Sequence, residues 1–247
     1  KDQRRVISAY DGAAKVATVY PDWAAAPDAT TEYRVCAAVM YAPASTDLRT
    51  ITDYLYKRNS GSGDAILEKL VGGAANLSFA MQTRQTGKFT ATVRGKLTAP
   101  VSVANPTGAV FDATRPRPLR DADAWWGGKR VCFRNFTLDW GNEVIQPDCA
   151  GQEYGYDEAA IVSRRPTGRL NPRAVTLAER NAFADLVAGT ARPLWIDWGE
   201  VDGNRVSMFF PALALTGKED DDLDGVSADG LPFQPVGIDG WIYLLIY

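Results

Sequence analysis

The sequence predicts a mainly β fold, a β-sandwich or barrel-like module with one main α-helix. Three observations predict it. Short apolar runs alternate with small or polar residues. Gly, Pro, Asp and Asn break those runs at short intervals. Only one stretch combines helical spacing with a start signal.

The strands come first. Leu77-Ser-Phe79-Ala-Met81 and Phe89-Thr-Ala-Thr-Val93-Arg alternate in the manner of half-buried strands. Val131-Cys-Phe133-Arg-Asn-Phe136-Thr-Leu138 is a third, and Asp139-Trp-Gly-Asn142 after it reads as a turn or bulge. Leu194–Trp198 and Arg205–Phe210 flank Glu200-Val-Asp-Gly-Asn204, whose Asp202-Gly203 pair signals a hairpin. Trp241–Tyr247 is a terminal strand, too short to span a bilayer.

The helix is predicted over 177–188. Thr176-Leu-Ala-Glu179 has capping-box spacing, in which the Thr oxygen accepts from an orphan backbone N–H and the Glu reaches back. Leu177, Ala178, Phe183, Leu186 and Val187 form an apolar stripe, and Gly189 is placed to end the helix. Residues 57–73, rich in Gly and Ser around Asn59–Gly63, read as a long loop with room for a short helix near 65–70. Residues 100–121, with Pro106, Pro116 and Pro118, read as an extended connector. The expected organisation is one domain over 1–247, loosely two β-rich halves of about 1–110 and 121–247. No exact internal repeat joins the halves, although each carries an extended stretch, a loop and a strand pair.

Composition narrows the function. A net charge of −3 and a pI near 5.1 argue against a surface that grips nucleic acid, because phosphate binding needs a basic face. Histidine is absent, which removes Ser–His and Cys–His nucleophile pairs and most zinc sites. Cys36, Cys132 and Cys149 are few and far apart, so they suggest no disulfide framework and suit synthesis in a reducing cytoplasm. The opening, Lys1-Asp-Gln-Arg-Arg-Val, shows no signal-peptide pattern, and the acceptor-like triplets at Asn76 and Asn135 are read as chance matches. Gly61-Ser-Gly63 lacks the third glycine and the setting of a dinucleotide fingerprint. Carboxylate-only chemistry of the glycosidase kind stays open, since sequence does not show whether two carboxylates converge. No catalytic, cofactor-binding or metal-binding residue is nominated.

Three features invite a functional reading. Asp220, Asp222, Asp224 and Gly225 match the first half of a calcium loop, but Leu231 stands where the bidentate Glu belongs, so Glu219–Gly225 reads as a solvated loop, with a weak cation site as the alternative. Trp125-Trp126 and Trp195/Trp198 could stack on sugars, yet burial in a core or an interface is the favoured reading. Arg115, Arg117 and Arg120 lack a regular period and read as a solvated connector rather than a basic patch.

The second half resembles the tail-tube proteins of long-tailed, siphovirus-like bacteriophages and gene transfer agents. The matching elements are Phe136-Thr-Leu-Asp139-Trp-Gly-Asn142, Arg165-Pro-Thr-Gly168-Arg-Leu-Asn-Pro172, Gly189-Thr190, Gly203-Asn204, Phe210-Pro-Ala212 and Asp222-Leu-Asp-Gly225, in the family's order. Tyr41-Ala-Pro43-Ala-Ser45, Tyr54-Leu-Tyr56, Gly72–Phe79 and Thr90–Gly95 extend the likeness into the first half. The resemblance implies a non-enzymatic virion protein that closes into hexameric rings sharing one β-barrel and stacks them helically into a tube. It implies partners in itself and in the tape-measure, terminator and distal tail proteins. DNA would cross the lumen without specific binding, with no membrane and no cofactor involved. Under that resemblance the loop 57–73 would touch the next ring, and the helix 177–188 would pack between the sheets and neighbouring subunits. Six subunits giving four strands each would make a barrel about 48 Å across, from roughly 4.8 Å between strands and about 40° of tilt. A carbohydrate-binding β-sandwich, a tail terminator and a baseplate hub are the alternatives.

Overall fold

A computed structural model describes residues 3–58, 63–108, 110, 116–199 and 203–247. The strands are β1 (Val6–Asp11), β2 (Val16–Tyr20), β3 (Val39–Tyr41), β4 (Ile51–Lys57), β5 (Ala65–Gln82), β6 (Lys88–Leu97), β7 (Val101–Val103), β8 (Asp123–Trp126) and β9 (Lys129–Arg130). They continue with β10 (Phe133–Asp139), β11 (Asn142–Ile145), β12 (Ala160–Arg164) and β13 (Thr167–Pro172). After the helix α1 (Ala182–Ala188) come β14 (Arg192–Trp198), β15 (Val206–Leu215), β16 (Glu219–Leu223), β17 (Val226–Pro235) and β18 (Tyr243–Ile246). The mainly β fold expected from the sequence is therefore present.

Among the described residues, fourteen strands form one antiparallel sheet with the central order β4-β5-β10-β13-β17-β15-β14-β8-β9, and β1-β2 and β11-β12 are separate hairpins. β5 organises it. One edge of this 18-residue strand pairs with β6 and β7, while the other pairs with β4 over its first half and β10 over its second. Strands from both halves of the chain thus share one sheet across β5 and β10.

The sheet folds over on itself into a sandwich. Phe79 of β5 stacks on Trp198 of β14 at 6.2 Å, although β10, β13, β17 and β15 lie between them in the order. Phe136 of β10 is fully buried and meets Phe79, Phe210 and Phe233. Alternation explains this packing. Phe136 and Leu138 point inward around exposed Thr137, and register sets Leu138 beside Phe79 and Phe136 beside Met81.

Several elements differ from expectation. Residues 65–73 are strand, not loop or helix. Glu68 and Lys69 look loop-like in isolation, but cross-strand partners absorb them. Glu68 pairs with Lys57 at 2.5 Å, and Lys69 lies over the Tyr54 ring. The tip at 59–62, including most of the Asn59–Gly63 stretch expected to touch the next ring, lies outside the described residues. The acidic run is a strand as well. Glu219–Leu223 pairs with β17, and Asp222 Oδ1 accepts from Gly225 N across the turn at 2.9 Å. The connector supplies β7, and Leu119 is buried with a bridge to Thr83; Arg115 lies outside the described residues.

The helix starts five residues later than predicted. Asn181 is its N-cap, accepting from Ala184 N at 2.9 Å. Thr176 uses its backbone oxygen instead, taking the amides of Glu179 and Arg180 in a separate turn. The reason is tertiary: Arg180 donates to the Arg173 carbonyl and to Asp229, which holds the turn off the helix axis. Gly189 ends the helix at φ +61°, as expected. Of the predicted stripe only Leu186 packs against the core, while Leu177, Ala178, Phe183 and Val187 are exposed.

Two glycines are required by close approach. Gly141 has φ +59°, and a Cβ there would collide with the Arg165 carbonyl. Gly168 lets the Phe233 ring lie against β13, and a Cβ would come within 2.6 Å of the Thr137 carbonyl. Gly141→Ala and Gly168→Val should each lower the unfolding free energy by about 2 kcal/mol or more. Urea denaturation of the two variants checks this, and unchanged midpoints would refute the packing argument.

Candidate assembly surface

The chemistry of this surface follows from what the strands leave uncovered. β4 reads Ile51-Thr-Asp-Tyr-Leu-Tyr-Lys57, and all seven residues are exposed. Because side chains alternate, Leu55 faces one side and Tyr54 and Tyr56 the other, so both faces of β4 carry bare apolar groups. β3 adds Val39, Met40 and Tyr41, and the extended chain before it adds Tyr33 and Val35, which is 69% exposed. Scattered apolar residues on a surface are ordinary, but continuous ones on a strand's two faces mark a contact surface.

Backbone edges lead to the same conclusion. Among the described residues, β4 pairs only with β5, β6 only with β5, and β3 only with β18. Each presents a row of unpaired N–H and C=O groups, which template pairing with another chain. On α1, Phe183 and Val187 stand one turn apart and exposed, a small apolar pair ready for a neighbour.

The N-terminal hairpin β1-β2 is pinned to the body by its own chemistry. Tyr20 Oη donates to the Pro193 carbonyl at 3.0 Å and accepts from Gly128 N at 2.8 Å. Burial pushes the Tyr20 hydroxyl up to about 12. The Arg5 guanidinium sits between the rings of Trp23 and Trp125, at 5.4 and 5.5 Å.

Asp197 ties the two ends of the chain together. Its carboxylate is buried, accepts from Tyr247 Oη at 2.6 Å and lies 3.6 Å from Arg4. Burial raises the Asp197 carboxyl above its usual range, against the opposing pull of Tyr247, Arg4 and Arg205. Burial and the neighbouring carboxylate also raise Tyr247.

The candidates suggested by sequence each take a definite place in the fold. Trp126, Trp195 and Trp198 are buried, and Trp195 Nε1 donates to Ser207 Oγ at 2.7 Å, so neither tryptophan pair offers a bare sugar platform. Among the described residues, no three acidic, Cys or His groups gather as a metal site. Carboxylates of 219–225 are spent within the chain instead: Asp224 meets Arg134 at 3.0 Å, Asp221 meets Arg169 at 3.7 Å, Glu219 also bonds Arg169, and Asp222 accepts from the Gly225 amide. Cys36, Cys132 and Cys149 are free thiols. No described helix is long and apolar enough to cross a membrane. Local patterning does not single out the exposed faces of β3 and β4, although the Tyr54-Leu-Tyr56 run is a usable signal.

Fold and surface define a class: an antiparallel β-rich subunit with open sheet edges and apolar faces left for other chains. Residues 1–235 match the model of the phage tail tube protein family, and the chain belongs to that family. It is a structural component of the virion tail, and the family associates with itself and with other tail proteins. No curated protein matches the sequence.

Leu55→Glu places a charge on the bare face of β4 without touching the core. It should leave unfolding within about 0.5 kcal/mol of wild type yet reduce self-association in sedimentation velocity; association at wild-type level would remove β4 from the contact surface. For Asp197, the raised folded pKa means the protonated form is favoured by folding. Its contribution is fully present below the unfolded value near 3.8 and is lost as pH rises through the higher folded value. The fall in melting temperature across that window should flatten in Asp197→Asn, as scanning calorimetry at several pH values will register.

Proposed function

We propose that this chain closes into six-membered rings, that the rings stack helically into a tail tube, and that DNA passes through the lumen. The observation that carries the reading is β4, a strand with one edge unpaired among the described residues and apolar side chains exposed on both faces. A heterologous contact between such edges generates a ring when its rotation closes. Pairing between subunits then satisfies the backbone groups that a lone chain leaves open. The role is structural, with no catalytic step assigned. Six copies of −3 give −18 per ring, which disfavours the counterion release that would hold DNA in place.

In this reading the tape-measure, terminator and distal tail proteins are the partners, and the subunit is made in the cytoplasm of a bacterial host. A single domain spanning 1–247 fits it, since strands from both halves share a sheet. The exposed pair Phe183 and Val187 supports a neighbour contact for the helix. Burial of Trp126, Trp195 and Trp198 weighs against the sugar-binding alternative. A terminator or hub would share the fold logic but form one ring.

Negative-stain electron microscopy across a concentration series tests the proposal. Hollow tubes of stacked rings with a central channel are expected, and their end views report the ring symmetry. Isolated rings that never stack would favour the terminator or hub reading.

A further inference from the structure

One face of the sheet is unlike the apolar surfaces. Opposite the core, β5, β10 and β13 present Ser78, Ala80, Thr137, Asp139, Thr167 and Arg169 along a shallow concavity. Small neutral groups dominate it, Lys88 of β6 stands exposed at its margin opposite Ala80, and Asp139 and Arg169 are tied within the chain. Asp139 Oδ1 accepts from Asn76 Nδ2 at 2.9 Å and from Gly141 N at 2.7 Å.

Arg169 is held most deliberately. Its guanidinium crosses β17 at Gly230, where a Cβ would overlap it, and reaches β16 on the far side. There Glu219 accepts its hydrogen bond, and Asp221 lies 3.7 Å away. The same hairpin engages three more cations. Asp224 meets Arg134, Asp220 and Asp229 meet Lys218, and Asp229 meets Arg180 at 3.1 Å. Arg180–Asp229 is largely buried and structural, but the Arg134–Asp224 and Arg169–Glu219 pairs are exposed and add little to stability, so those two call for another role. What they change is the charge that this face offers to a passing ligand.

We propose that the acidic hairpin β16-β17 is an electrostatic mask: Glu219 and Asp221 occupy the Arg169 guanidinium so that this sheet face does not hold the phosphates of duplex DNA. The mask rests on the reading of the chain as the wall of a DNA conduit, and it assigns this polar face to the channel. Arginine is the side chain best suited to grip phosphate, through its planar fork of donors. A channel that carries DNA must therefore bury that fork in its own carboxylates or lose it.

The test is the affinity of the purified full chain for a short fluorescent DNA duplex, read by anisotropy over a salt series. The variants are E219Q/D221N, the same pair with R169Q, and E32Q/D47N as a remote control of equal charge change. E219Q/D221N should bind about threefold tighter than wild type, with a salt slope steeper by about one. Adding R169Q should abolish both changes, and E32Q/D47N should show neither. An E219Q/D221N affinity equal to wild type, or a gain that survives R169Q or is matched by E32Q/D47N, overturns the mask. The substituted side chains are exposed or half-exposed, and matching circular dichroism melts establish that each variant is folded. The channel assignment has its own readout: Thr137→Cys in a chain whose three native cysteines are Ser, assembled into tubes. Labelling by a small maleimide but not by a protein-sized one supports it. Labelling by both places the face outside the tube and overturns the assignment, whereas failure to form tubes at all counts against the ring-and-tube proposal instead.

Discussion

Hydrogen bonding along both edges of β5 organises the whole molecule. A strand of 18 residues leaves two long rows of polar groups to satisfy, and no single partner here is long enough to cover either edge. β6 and β7 share one edge, while β4 and β10 share the other. The handover from β4 to β10 joins the early strands to the late ones. Because β10 is in register with β5 through Phe136 and Leu138, the same pairing places the aromatic core against the strands that close over it.

The outer surface has the same origin. Where β5 pairs with β10 it carries core side chains on one face and small polar ones on the other. Where it pairs with β4, no opposing layer covers β4 among the described residues, and apolar residues are exposed on both sides. One strand therefore links a packed sandwich to an exposed apolar surface with open edges, the kind of surface that templates contact with other chains.

Electrostatics complements this division. Carboxylates of the β16-β17 hairpin are set on Arg134, Arg169, Arg180 and Lys218. The buried Asp197 is the exception in kind: it is held by Tyr247 and Arg4, so the two ends of the chain meet at one carboxylate. On the sheet face Arg169 is held by Glu219, whereas the contact surface is apolar.

Local patterns along the chain suffice for the mainly β class, the strand cores at 77–81, 89–94 and 194–198, the glycine that ends the helix, and the family. They rest on short-range physics: side-chain alternation, positive-φ turns and residues that fix backbone shape. Packing was needed to make strands of 65–73 and 219–223. Their charged residues look solvated until Lys57 stands opposite Glu68 and Arg169 reaches Glu219. The helix start follows the same rule, because Arg180 is drawn to Asp229, a partner 49 residues away that no local pattern contains. Burial of the tryptophan pairs likewise depends on which strands fold over which. Local sequence specifies what a segment can be, while long-range partners, invisible along the chain, choose among those forms.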